Sequence, residues 1–123
     1  MDNTALAHAA YDAAQGGDMA GFLACFTPDA VVWHNFDQAE QPIQAAVAQL
    51  GAMAQHFASM SYDDRRYVNL PGGAVLQHIS RAVLKDGRVV AVPTMLRMYV
   101  SGGRISRLEE YFDTATASAA MGG

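Results

Sequence analysis

The sequence predicts an α+β domain in which helices come first and pack on a curved, mainly antiparallel β-sheet that encloses one pocket. Three observations carry this. The composition changes once: up to about Phe57 the chain is rich in Ala, Gln and Met, and from about Asp63 to Asp113 it is rich in Val, Ile, Leu and Tyr with glycine-containing turns. Good helix formers followed by β-branched and aromatic residues is the helices-then-strands order of an α+β chain. Ile43, Val47, Leu50, Ala54 and Phe57 recur at spacings of three and four, one apolar helical stripe. Asp86-Gly87 between two alternating apolar runs is a hairpin signal. Neither a linker nor a repeat divides the chain, so residues 1–123 read as one domain with a frayed tail at 114–123.

The first helix is expected over Thr4 to Gln15, with caps offered by Asp2 to Thr4 and a stop at Gly16-Gly17. Asp18 caps a short second helix ending near Phe26, and Thr27-Pro28-Asp29 breaks it. Ala30 to Asn35 reads as a short strand. Pro42 suits the first turn of the third helix. A meander follows: Asp63 to Leu70, Ala74 to Leu84, Arg88 to Val100 and Arg104 to Asp113, separated by glycine-bearing turns.

Side chains alternate along a strand, so each strand divides into two faces. Val90, Val92, Leu96, Met98 and Val100, with Thr94 among them, form the apolar face of the third long strand. A two-residue turn at Asp86-Gly87 would set Arg81 opposite Val92 and Gln77 opposite Leu96, both pointing inward, with His78 and Ser80 outward. In the last strand Leu108, Glu110 and Phe112 share a face. A carboxylate between two large apolar side chains loses hydration, its pKa rises, and it becomes a candidate for proton transfer near neutral pH. The alternative is a solvated face on which Glu110 simply pairs with Arg81.

The bulk numbers exclude several classes. Net charge is −4, from 8 Lys+Arg and 12 Asp+Glu, without a basic run, which argues against nucleic acid and membrane surfaces as partners. The lone Cys25 forms no intrachain disulfide, and no metal-ligand spacing is present, so neither metal nor cofactor is expected. The N-terminus lacks the charged and apolar regions of a secretory signal, and a cytoplasmic protein is expected.

Trp33-His34-Asn35 at the end of the short strand, and the ending Gly103-Arg104-Ile105-Ser106-Arg107-Leu108-Glu109-Glu110-Tyr111-Phe112-Asp113, make the chain similar to a known superfamily. From about Tyr11 to Asp113 it resembles the nuclear-transport-factor-2-like proteins, the cone-shaped fold of ketosteroid isomerase, SnoaL-like polyketide cyclases, scytalone dehydratase and limonene-1,2-epoxide hydrolase. The resemblance implies a cofactor-free acid/base site. Glu110 falls where the epoxide hydrolase has a catalytic Asp. Without a gap in the short strand, His34 rather than Asn35 reaches the pocket. The Arg and second Asp of that hydrolase would fall on Gln77 and Ile79, so its Asp–Arg–Asp relay is not reproduced.

His34 and Glu110 are therefore the expected titrating pair. Asn35, Gln77 and Arg81 are expected to orient or polarise a substrate oxygen, with Thr94 on the same inner face. Trp33, Phe57, Leu96 and Phe112 are expected as the apolar wall. Two functions follow: an acid/base enzyme for a small hydrophobic ketone, epoxide or alcohol, or a non-catalytic module binding a small ligand or protein in the same cone. Met95, Arg97 and Tyr99 on the outer face suggest a homodimer, which the superfamily commonly forms.

Overall fold

The computed structural model describes residues 2–120. The elements are α1 (Thr4–Gln15), α2 (Met19–Ala24), β1 (Phe26–His34), β2 (Glu40–Pro42), α3 (Ile43–Ala54), β3 (Phe57–Leu70), β4 (Gly73–Leu84), β5 (Val89–Ser101), β6 (Arg104–Phe112) and α4 (Thr114–Ala120). One open six-stranded sheet runs in the order β2-β1-β6-β5-β4-β3. Its pairs are antiparallel except that β1 lies parallel to β6. This is the α+β, nuclear-transport-factor-2-like architecture expected from the sequence, with an unclosed sheet.

Small residues let α1 lie close to the sheet: Ala7, Ala10 and Ala14 are fully buried beside Tyr11. Gly17, at φ 77°, allows the left-handed turn that separates α1 from α2. Asp18 then caps α2, its Oδ1 accepting from Gly21 N–H at 2.8 Å. Leu76, Leu96, Met98 and Ile105 fill the centre of the inner sheet face and are essentially fully buried. Leu84, Val90 and Val92 form a second cluster with Phe57, Phe112 and Ala117.

Four boundaries differ from expectation. β1 begins at Phe26 rather than Ala30. Its pairing with β6 skips from Phe26 opposite Ile105 to Val31 opposite Arg107, so Thr27 to Ala30 bulge out and Pro28 interrupts no ladder. β3 begins at Phe57 rather than Asp63, because the long β4 supplies a partner that its own alternation does not advertise. β2 is too short to show a period. Residues 114–120 form α4 rather than a frayed tail, and Ala117 packs on the second cluster. Residues 121–123 of that expected tail lie outside the described residues.

The β4–β5 turn changes the faces. Leu84 N–H donates to Arg88 O at 2.8 Å and Gly87 N–H to Leu84 O at 2.9 Å, with Gly87 at φ 92°. The loop is therefore three residues, Lys85 to Gly87, not two. The register moves by one: Ser80 opposes Val92, His78 opposes Thr94, and Gln77 opposes Met95. A one-residue slip turns every side chain of β4 to the other face.

The outer sheet face carries most of the exposed large hydrophobics: Val68, Val89, Met95 and Tyr111. Arg97 stacks over Tyr99 there, 4.3 Å from the ring centroid. Among the described residues no helix is long and apolar enough to cross a membrane.

Candidate functional site

The parallel register of β1 and β6 sets His34 beside Glu110 on the inner face. Both border a cavity of about 300 Å³, walled mainly by Tyr11, Ile43, Leu50, Phe57, Tyr62 and Leu108. The same two residues border an outer chamber of about 510 Å³, reached past Phe36, Met53 and Phe112. His34 and Glu110 thus stand at the waist between an apolar interior and a wider mouth.

Glu110 is flanked on its face by Leu108 and Phe112 and stands opposite the buried Leu96. It accepts no hydrogen bond from a described residue, so nothing replaces the water its carboxylate loses. Desolvation pushes its pKa up to about 7. His34 Nε2 lies 3.7 Å from Glu110 Oε1, too far for a hydrogen bond. Burial lowers the His34 pKa, a shift that the charge of Asp37 opposes only in part. Near neutral pH the pair is a neutral imidazole beside a carboxyl close to its midpoint. Charge attraction does not hold it together, and either member can give or take a proton.

Two tyrosines escaped the sequence reading. The rings of Tyr11 and Tyr62 meet edge-on at 4.8 Å, and both line the deep chamber. Neither hydroxyl bonds to another described residue, and neither is among the sealed, unsatisfied polar atoms. Burial, then the Glu110 charge, raises both pKa values, so both hydroxyls stay protonated and able to donate. Arg65 braces this pair. Its Nη1 donates to Asp12 Oδ1 at 2.6 Å and its Nε to Tyr62 O at 3.0 Å, while Tyr62 N–H donates to Gln15 Oε1 at 2.9 Å. Helix α1 is thereby bolted to β3 at the position of Tyr62. The signal in the sequence was faint: one tyrosine in an alanine helix and one just before the strand expected from Asp63.

His78, turned inward by the register, is buried and shares a 2.8 Å hydrogen bond with Tyr67 through Nδ1. Burial, with the Arg65 charge adding to it, lowers its pKa to about 4, so it stays neutral. It does not line either chamber.

Of the expected site residues, His34 and Glu110 come together; Phe57 lines the deep chamber, Thr94 and Phe112 the outer one, and Leu96 lies beneath Glu110. Four are placed differently. Gln77 stands on the outer face because of the shifted register. Arg81 touches the rim of the deep chamber but is exposed opposite Ala91, and it forms no ion pair with Glu110 among the described residues. Trp33 lies on the outer face, its ring 5.2 Å from that of Tyr111, because alternation opposes it to His34. Asn35 is spent on structure: its amide donates to Phe112 O at 3.2 Å and accepts from Phe112 N–H at 3.3 Å. It staples the ends of β1 and β6 together.

Among the described residues no group of His, Cys, Asp or Glu is arranged to hold a metal ion. No curated protein matches the sequence. Solved structures of the same fold are numerous. A candidate polyketide cyclase from Xanthomonas campestris is 19% identical, with 96% of this chain and 95% of that one covered and a TM-score of 0.82. IdmH, a candidate polyketide cyclase from Streptomyces antibioticus, is 16% identical with complete coverage of both chains and a TM-score of 0.84. A protein of ketosteroid isomerase-like fold from Catenulispora acidiphila, solved with trimethylamine, is 13% identical over 95% of this chain and 92% of its own, with a TM-score of 0.80. Identities this low establish the fold alone, but the SnoaL-like domain profile itself matches residues 7–108, and the chain therefore belongs to the SnoaL-like family.

Proposed function

We propose that this domain is a cofactor-independent acid/base catalyst of the cyclase or isomerase type, acting on a small hydrophobic molecule that carries a ketone. One observation carries the reading: a desolvated carboxyl, Glu110, titrating near 7 beside a neutral His34 in an apolar cavity. A general base works best with a pKa near the working pH.

The chemistry follows from the arrangement. Glu110 as carboxylate removes a proton from the carbon next to a carbonyl, leaving an enolate and a protonated Glu110. Tyr11 and Tyr62 donate hydrogen bonds to the enolate oxygen, where charge develops. Returning the proton to another carbon completes an isomerisation. Attack of the enolate carbon on a second carbonyl of the same molecule forms a ring, and the resulting alkoxide takes back the proton from Glu110, which returns the carboxylate. The inner positions of β4 carry Leu76, His78 and Ser80, so the epoxide-hydrolase relay has no counterpart on that strand. The cyclase-type solved structures of the same fold support the reaction class at this coarse level.

The test needs no native substrate. Phenylacetone in D₂O should exchange its α-protons faster with the protein present, with a rate rising through pH 7. Glu110→Gln should lower that rate by about 10²–10⁴. Equal exchange by the variant would remove Glu110 from the mechanism and leave the ligand-binding reading. The outer sheet face, with Val89, Met95 and Tyr111 exposed, is our proposed seat for a second copy of the chain; sedimentation at a monomer mass would exclude it.

A further inference from the structure

The two chambers differ in what they offer a ligand. The deep one is apolar with two tyrosine hydroxyls. The outer one has three carboxylates on its wall, Asp37, Glu40 and Glu110, and no Lys or Arg. Glu40 is neutralised by Arg107, which also holds Glu109. Asp37 is not neutralised in this way: Oδ1 accepts from Ala39 N–H at 3.0 Å, and Oδ2 has no partner among the described residues. Its charge is felt at His34. Among the described residues the one arginine that touches either chamber, Arg81, stands on the outer face of β4 by strand alternation.

The mouth also has an aromatic corner. The Phe36 ring lies 5.4 Å from that of His34 and 5.8 Å from that of Phe112, and His34 and Phe112 are 6.4 Å apart. Phe36 is 60% exposed. One side of the ring packs on His34 and Phe112, and the exposed remainder can cover a ligand at the mouth. Aromatic faces beside a carboxylate attract organic cations, which lose little hydration on entering. An anion entering the same chamber would give up its water beside Asp37 and Glu110 with no positive group to receive it.

We propose that the cavity selects its substrate by charge, seating an alkylammonium group of the substrate in the outer chamber against Phe36, Phe112 and Asp37 while the apolar, ketone-bearing part occupies the deep chamber. The inference rests on the cavity being the substrate site. Neutral molecules bind less well, and carboxylates and phosphates least.

Three probes of similar size test it: benzyltrimethylammonium, phenylacetone and phenylacetate, each titrated into the full chain at neutral pH and followed by amide NMR shifts. The expected order is cation, ketone, anion, with about tenfold between first and last, the span of one desolvated cation–π contact. Asp37→Asn and Phe36→Ala, both at exposed positions, should weaken the cation more than the ketone. Phenylacetate binding as tightly as the cation would overturn the proposal, as would a cation-to-ketone affinity ratio unchanged in both variants. The two readings fail separately. Exchange of phenylacetone α-protons without a preference for the cation sinks the charge selection and spares the acid/base chemistry. An ordered binding series without exchange does the reverse.

Discussion

Glu109 and Glu110 are neighbours in the chain and opposites in the fold. Glu109 lies on the outer face, where it accepts hydrogen bonds from Tyr99 Oη at 2.9 Å and Arg107 Nε at 3.0 Å. Glu110 lies on the inner face between Leu108 and Phe112, accepts none from a described residue, and its pKa rises to about 7. The two side chains are chemically identical. Strand alternation alone gives one to an ion-pair network and the other to a cavity. The acidity of each carboxyl here is a property of its face.

The largest expected effect breaks the inner face itself. Beyond its activity loss, Glu110→Gln should stabilise the protein above pH 7. The folded pKa lies above the unfolded one near 4.5, so the protonated form is favoured in the fold; its benefit is full below 4.5 and lost as pH rises through 7. A shift of this size corresponds to about 3 kcal/mol, readable as a higher Tm for the variant at pH 8 and little difference at pH 4. His78 runs the other way. Its folded pKa is lowered to about 4, so stability is lost as pH falls below 6.5. The windows overlap with opposite signs. Burial lowers the His34 pKa in the same direction as that of His78, so denaturant midpoints of the wild type should fall less from pH 6.5 to 4.5 than those of Glu110→Gln; equal slopes for the two would contradict the Glu110 assignment.

Leu96→Ala should cost about 2–5 kcal/mol as a buried large-to-small change. Leu96 is 1% exposed opposite Glu110, so water admitted there should also draw the Glu110 pKa back toward its ordinary value, which carboxyl NMR would read. Tyr62→Phe removes one proposed donor and should slow α-proton exchange by about 10² with the fold intact. An undiminished rate would assign the enolate oxygen to another partner. Smallest of all, Glu109→Gln should change stability by about 1 kcal/mol or less and leave exchange untouched. A large loss of exchange would show that the two faces are coupled.

Most of the fold was legible because its signals are local. The Ala-rich α1 between Asp2 and Gly16-Gly17, the stripe of α3 and the alternation of β5 and β6 each declare themselves within a dozen residues. The same alternation placed Glu110 between its apolar neighbours. Register was harder to read, because it depends on one loop: Asp86-Gly87 fits both a two-residue turn and the tail of a three-residue one, and the choice decides whether Gln77 and Arg81 or His78 and Ser80 face inward. Trp33 misled because a large aromatic is usually buried, whereas here it packs on the outer face against Tyr111 of the neighbouring β6. Tyr11 and Tyr62 could not be paired in advance, since the Arg65 brace that joins them depends on tertiary contact.

The Asn35–Phe112 staple joins residues 77 positions apart, and it ties the one parallel seam among the described strands. His34 and Glu110 meet across that seam. Every other strand pairing can form between sequence neighbours as the meander grows, but this one waits for the last strand to arrive. A chain emerging from the ribosome would therefore possess helices, hairpins and a partial core well before His34 and Glu110 met. The meeting of His34 and Glu110 belongs to the final docking event, and a chain interrupted before β6 would lack it.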